Sequence, residues 1–363
     1  MTEQSRRDFI RIAGTAALVS AVTGCATSGT RRTSFDDIPR LELTRLPTAC
    51  QKMNNLSAAE GWPDLYIKRD DVMELAAGGN KTRKMEYALA QALNEGAQAV
   101  VTQGGLQSNH VRQTCSGAAK VGLEAHVVLS NPVPEMLDEL KASGNYLMDQ
   151  LMGANMYFAE DGRGPVVEQV LADLGAAGKK PYNIPAGASN GVGSLGYVNA
   201  ARELIDQWRT LNIAPSHIFT ASGSCGTQAG LLMGLRYFGN STTKVVGISV
   251  SGAKERTEER MRSVLNQIAD ELGVDYGFIP DGDIIVYDDY IGEGYGRPTE
   301  AGVAAIHAIG RQEGIILDPI YTGKGMSGML DLLRKGALDE PRDVVFLHTG
   351  GSPAIHPYAE FLV

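Results

Sequence analysis

The sequence predicts an α/β protein of mainly parallel sheet, and three observations lead there. Short apolar, β-branched runs recur along the chain, and helical patterns separate them. Glycine supplies 43 of 363 residues, with 43% hydrophobic and 21% charged residues, as expected where many short loops join strands to helices. A chain this long outgrows one small core and suits two lobes or one large α/β unit.

The elements follow in order. Thr82 to Glu95, closed by Gly96, sets Met85, Leu89, Ala92 and Leu93 on one face and charged residues on the other, which predicts an amphipathic helix. Ala99-Val100-Val101-Thr102 and His126-Val127-Val128-Leu129 are short and apolar, as buried parallel strands should be. Ala200 to Trp208 is helical, His217-Ile218-Phe219-Thr220 a strand, and Thr227 to Phe238 a helix. Val245-Val246-Gly247-Ile248, the helix Thr299 to Gln312 and Val344-Val345-Phe346-Leu347 complete the pattern. Such alternation requires right-handed crossovers and gives parallel neighbours. No internal repeat or low-complexity block interrupts it.

Ligands of such sheets bind beyond the C-terminal strand ends, where loops enter helices. Gln107-Ser108-Asn109-His110 follows the first strand, Ser222 to Thr227 follows the Phe219 strand, and His348-Thr349-Gly350-Gly351 follows the last. The formal charge of −9 and the lack of a basic cluster argue against a nucleic-acid surface.

The N-terminus reads as a separate address. Ser5-Arg6-Arg7-Asp8-Phe9-Ile10-Arg11 matches a twin-arginine export pattern, and the uncharged stretch from Ile12 to Gly24 is short for a membrane span. Val22-Thr23-Gly24-Cys25 reads as a lipobox in which Cys25 is acylated; plain cleavage nearby is the alternative. This predicts a signal over 1–24, a tether over 25–39 and a periplasmic, membrane-anchored protein. Cys50, Cys115 and Cys225 are then left, too widely spaced for a disulfide framework or a zinc site, so no metal is expected.

Lys81 opens a helix behind Gly78-Gly79-Asn80, and the polar loop at Gln107 follows. A lysine at a helix start is ordinarily a solvated charge. Here the pairing with a strand-to-helix loop is the arrangement that holds pyridoxal phosphate as a Schiff base. Lys68, Lys84 and Lys324 are the competing lysines, Lys324 first among them because it lies beside Tyr321. Ser222-Gly223-Ser224-Cys225-Gly226-Thr227 leads into a helix N-terminus, where backbone N–H groups and the helix dipole make a phosphate cup; an ordinary strand-to-helix turn would look similar.

These segments, with Gly292 to Gly296 and Asp318 to Gly328, resemble the D-cysteine desulfhydrase and 1-aminocyclopropane-1-carboxylate (ACC) deaminase family over Arg40 to Tyr358. The resemblance implies a fold-type II pyridoxal-phosphate enzyme, tryptophan synthase β-like. Residues 40–81 and 196–363 would form a large cofactor-binding domain, with a smaller domain, 82–195, inserted into it. It also implies a homodimer and pyridoxal 5'-phosphate as cofactor. Asn80 and Lys81 fall on the family's Asn-Lys position. Asn109 resembles the residue that bonds the cofactor's phenolic oxygen, and Ser108 one that contacts the substrate carboxylate and relays a proton. His110 joins that substrate loop, although a structural hydrogen-bonding role is the plainer reading of a histidine there. Tyr295 and Tyr321 match positions facing the substrate, where a phenol of lowered pKa could protonate a leaving group. Thr322 and Thr349, matching positions near the pyridine nitrogen, stand where ACC deaminases carry Glu and Leu, which disfavours ring opening.

The expected reaction is β-elimination on a small amino acid, D-cysteine giving pyruvate, ammonia and hydrogen sulfide. L-cysteate sulfo-lyase is the rival, because Gly187 to Ala200 and Tyr290 to Glu300 also resemble that branch. A lipid-anchored solute-binding protein is the non-enzymatic alternative, but it leaves Lys81 and the two loops unexplained.

Overall fold

The computed structural model describes residues 34–60 and 62–363, so the export pattern and Cys25 lie outside the described residues. Six strands make one sheet in the order β1 (Cys50–Lys52), β2 (Leu65–Arg69), β10 (Val344–His348), β7 (His217–Ser222), β8 (Lys244–Ser249), β9 (Ile285–Tyr287). Only β1 runs antiparallel to its neighbour there. A second, wholly parallel sheet has the order β5 (Asn155–Phe158), β4 (Glu124–Ser130), β3 (Ala99–Gly105), β6 (Pro181–Asn183). The α-helices are α1 (Asn54–Glu60), α2 (Lys81–Asn94), α3 (Asn109–Val121), α4 (Leu137–Ala142), α5 (Gly144–Leu151), α6 (Arg163–Ala176), α7 (Gly191–Leu211), α8 (Gly226–Tyr237), α9 (Lys254–Leu272), α10 (Glu300–Glu313) and α11 (Thr322–Arg334).

The strand period of two explains how each sheet is covered on both faces. Ile218, Val245 and Val345 pack with Trp208, Leu231 and Leu265 of α7, α8 and α9. Their neighbours Phe219, Val246 and Phe346 pack against Ile309 and Met329 of α10 and α11. In the smaller sheet, Val100, Val127 and Leu129 meet Met85, Leu89 and Val111 of α2 and α3, while Val101 and Val128 meet Val167 and Val170 of α6.

Two expectations are corrected. The charged face of α2 is not solvated: Arg83, Lys84 and Glu86 are buried, whereas Leu93 is exposed. Arg83 grips Asp70 through two hydrogen bonds of 2.8 and 2.9 Å and also reaches Glu203, which pairs with Lys68. Tertiary partners satisfy these charges, so burial is tolerated. Residues 34–39, assigned above to the tether, instead belong to the fold. Phe35 and Ile38 are buried, and the Phe35 ring meets Phe238 edge-on and lies under the Arg202 guanidinium.

Candidate active site

The loops at the C-terminal ends of β3, β7 and β10 and the start of α2 enclose a cavity of about 330 Å³. Asn80, Lys81, Ser108, Asn109, His110, Ser222 to Cys225, Thr227, Tyr295, Tyr321 and Thr349 line it, which brings together most of the residues singled out in the sequence. Gly226 lies behind the wall. A Cβ there would come within 2.8 Å of Ser189 Oγ, Lys84 Nζ and Ser194 Oγ, so any side chain would have to displace these groups.

Lys81 faces this cavity, and its Nζ has no hydrogen-bond partner among the described residues. Surrounding protein desolvates the ammonium and lowers its pKa to about 8. The competing lysines are spent elsewhere. Lys68 donates to Thr48 O and Gln207 Oε1, and Lys84 to Gly187 O and Ser189 Oγ at 3.0 and 3.1 Å. Lys324 donates to Ile291 O and Gly294 O at 2.6 and 3.0 Å, pinning the glycine-rich loop that carries Tyr295.

Opposite Lys81, the β7–α8 loop forms the cup. Cys225 adopts a left-handed conformation (φ 70°, ψ −22°), and the first turn of α8 leaves backbone N–H groups without helical acceptors. Ser222 Oγ is buried at the cavity wall and lacks a partner. Asn80 Nδ2 donates to Thr227 Oγ1 at 2.8 Å, which leaves the Thr227 hydroxyl proton to donate. The buried Cys225 thiol has its pKa raised by desolvation and remains a small neutral wall group. An orphaned hydroxyl, a second available one and a helix N-terminus suit an anionic phosphate.

On the other wall, Ser108 caps α3, its Oγ accepting from Val111 N–H at 3.3 Å. Asn109 Oδ1 accepts from Asn145 Nδ2 at 3.0 Å and from Arg112 Nη2 at 3.4 Å, so the Asn109 amide nitrogen is the group left for the cavity. His110 Nε2 lies 2.7 Å from Thr102 Oγ1, whose own proton goes to Ile184 O. Burial, then the nearby Lys81, Lys84 and Arg163 cations, push its pKa well down, so the ring is a neutral structural donor.

The Tyr295 and Tyr321 hydroxyls are 2.6 Å apart. Burial raises both pKa values, so the surroundings do not supply the lowering on which proton donation to a leaving group would depend. They act as protonated hydrogen-bonding groups. Thr322 is also corrected. It does not line the cavity, because its hydroxyl donates to Asp318 Oδ1 at 2.6 Å and accepts from Asp318 N–H at 2.7 Å. Asp318 in turn accepts from the backbone of Ile320, Tyr321 and Thr322, fixing the start of α11. Thr349 does reach the cavity, and its carbonyl accepts from Asn80 N–H at 3.0 Å.

Sequence reasoning missed Arg163 and Arg260, both on the cavity wall. Arg260 Nη1 donates to Gly223 O at 3.2 Å, whereas Arg163 has no partner among the described residues. Arg260 sits among other charged residues of α9 and Arg163 opens α6 after a glycine, far in sequence from the other site loops, so the sequence carried no signal for either. Among the described residues no carboxylate lines the cavity, whose charged lining groups are therefore cationic.

A family model described as pyridoxal-phosphate dependent enzyme matches residues 41–350. A D-cysteine desulfhydrase of Serratia proteamaculans is 40% identical over 324 residues, covering 88% of this chain and 96% of that protein. A D-cysteine desulfhydrase of Yersinia enterocolitica is 41% identical with the same coverage. A crystal structure described as an ACC deaminase homologue superposes with a TM-score of 0.82 at 37% identity, covering 90% of this chain and 96% of the other.

Proposed function

We propose, from the premise that the chain belongs to the pyridoxal-phosphate dependent enzyme family, that it eliminates hydrogen sulfide from D-cysteine. It is a lyase with pyridoxal 5'-phosphate as cofactor, which leaves the solute-binding alternative without support. The observation that carries the reading is Lys81: among the described residues the one lysine lining the cavity, without a hydrogen-bond partner, reduced in basicity, and sharing the cavity with an anion cup.

Ser222, Ser224, Thr227 and the start of α8 would hold the phosphate, the Asn109 amide the phenolic oxygen, and Lys81 the aldehyde carbon. When bound, the cofactor supplies an electron sink for Cα of the amino acid. Lys81 Nζ, with its pKa lowered to about 8, would be neutral enough near that pH to accept the Cα proton of the bound amino acid. Ser108 and the start of α3 receive the substrate carboxylate. The Tyr295–Tyr321 pair solvates the departing sulfur with hydroxyl protons, and a thiolate leaves without a strong acid. One water is consumed overall, and pyruvate, ammonia and hydrogen sulfide are released.

A second reading, L-cysteate as substrate, is favoured by Arg163, which among the described residues is an unpartnered cation on a wall without carboxylates and would suit a sulfonate. Supplying D-cysteine, L-cysteate and ACC separately and scoring sulfide, sulfite, pyruvate and 2-oxobutyrate decides among them. Sulfide from D-cysteine with little turnover of the others is the expected result. Faster sulfite release from L-cysteate moves the assignment to the second reading, and efficient 2-oxobutyrate formation overturns both.

Export by the twin-arginine route, lipid attachment at Cys25 and homodimer assembly belong to the same proposal. Arg6-Arg7 and the residues before Cys25 support the first two, and resemblance to the family supports the third. Arg6→Lys with Arg7→Lys should retain folded protein in the cytoplasm, and Cys25→Ser should leave it without lipid. A wild-type protein found wholly in the cytoplasm refutes the export proposal.

A further inference from the structure

The backbone that delivers Lys81 is held in an unfavourable conformation. Ala76, Ala77, Gly78 and Gly79 have φ values of 42°, 63°, 75° and 119°, a consecutive left-handed run directly before Asn80 and Lys81. Alanine enters that region reluctantly because its Cβ crowds the following carbonyl. The glycines are required outright, since a Cβ on Gly78 would fall 1.9 Å from Asp71 O and one on Gly79 2.6 Å from Gln113 Nε2. Such a segment persists only if its surroundings fix it.

Adjacent residues of α3 supply the fixing contacts. Arg112, fully buried, donates from Nη1 to Ala76 O and from Nη2 to Gly78 O at 3.0 Å. The same Nη2 lies 3.4 Å from Asn109 Oδ1, and Nε donates to Asn145 Oδ1 at 2.5 Å. Asn145 Nδ2 closes the circuit on Asn109 Oδ1 at 3.0 Å. Gln113 holds the other side of Lys81: its Oε1 accepts from Thr82 N–H at 2.7 Å, and its Nε2 donates to Asn109 O at 3.1 Å. Arg112 is in no salt bridge among the described residues. The buried Asp149 carboxylate lies near enough to act on the guanidinium charge without forming a salt bridge, and the guanidinium's fork of donors bonds backbone carbonyls and amide oxygens. It joins the lysine loop to the substrate loop.

We infer that Arg112 is a positioning residue, which holds the left-handed segment 76–79 and Asn109 in one frame and so sets where Lys81 Nζ sits in the cavity. The inference rests on Lys81 as the cofactor lysine and is independent of which amino acid is the substrate. Without Arg112 the segment relaxes toward ordinary backbone, and the Lys81 amine gains access to water, which raises its pKa.

The test uses the full chain stripped of cofactor and titrated with pyridoxal phosphate, with attachment followed by the visible band and by borohydride trapping at Lys81. In Arg112→Gln the pH midpoint for attachment should rise by about one unit, a tenfold loss of neutral amine at a fixed pH below the midpoint. For the reconstituted enzyme kcat should fall at least tenfold. Arg112→Lys retains the charge but not the fork, and should shift the midpoint in the same direction to a smaller extent. Adding Ala77→Gly to Arg112→Gln should return part of the shift, because glycine accepts the left-handed conformation. Arg112→Lys with a wild-type midpoint and wild-type kcat overturns the inference, and so does an Arg112→Gln variant that loses thermal stability alone. If Lys81→Ala still gives the visible band, the lysine assignment fails instead, and the two failures are told apart.

Discussion

The depressed basicity of Lys81 makes a quantitative prediction for cofactor attachment. Only the neutral amine attacks an aldehyde, so the attachment rate should follow the neutral fraction of Lys81. With the pKa lowered from 10.5 to about 8 by desolvation, that fraction is about 1% at pH 6, about half at pH 8 and nearly complete at pH 9.5. From pH 6 to 8 the rate should rise about fifty-fold, and from pH 8 to 9.5 less than about two-fold. An ordinary lysine amine would still rise about thirty-fold over the second interval. Among the described residues the cavity wall offers no carboxylate to restore the charge, so desolvation stands uncompensated. The assay mixes cofactor-free protein with pyridoxal phosphate across this pH range and follows the visible band, with a free lysine derivative in parallel to cancel the cofactor's own titration. A continued steep rise above pH 9 would refute the desolvation argument. A band that survives Lys81→Ala would refute the choice of lysine.

Tyr321→Phe removes the partner of the Tyr295 hydroxyl while keeping the ring, and should lower kcat on D-cysteine ten- to a hundred-fold, about 1.4 to 2.7 kcal/mol, with the visible band retained; unchanged kcat would exclude the hydroxyl pair from the reaction. Gly226→Ala places a Cβ 2.6 Å from Ser189 Oγ and 2.7 Å from Lys84 Nζ, so cofactor affinity measured by equilibrium dialysis should drop at least about tenfold, about 1.4 kcal/mol. Asp70→Asn leaves the Arg83 guanidinium short of its buried counter-charge and should cost about 3 to 5 kcal/mol in thermal or denaturant unfolding. In wild type, burial alone would raise the Asp70 pKa, but Arg83, Lys68 and Tyr197 outweigh it and hold it below the usual carboxylate range. The resulting stability is present above about pH 4 and lost as pH falls through the lowered value, so acid sensitivity should be blunted in Asp70→Asn.

The order of apolar runs by itself determined the α/β architecture. Val100, Val127, Phe219, Val246 and Phe346 lie in short runs that admit few alternatives to buried parallel strands, and all five became strands. Local glycine-rich chemistry likewise marked Lys81 and the Ser222 to Thr227 loop, because a helix start that receives an anion needs small residues wherever it occurs. The strand β2 was not legible: Leu65-Tyr66-Ile67-Lys68-Arg69 ends in two cations, and Lys68 is buried only because Glu203 and Gln207 of α7 come from far along the chain to meet it. The same reason hid the buried charges of α2: Arg83 meets Asp70 and Glu203, Lys84 meets Gly187 O and Ser189 Oγ, and Glu86 meets Leu43 N–H and Arg40. β1, β6 and β9 are three residues each, too short to show a period. Within the site, tertiary structure alone decided that Thr322 turns into Asp318 while Thr349 reaches the cavity, that two tyrosines far apart in sequence share a hydrogen bond, and that Arg163 and Arg260 face inward. A sequence pattern reports what a residue can do with its neighbours along the chain. Which buried group answers a charge or a hydroxyl is set by residues that only folding brings within a few ångströms.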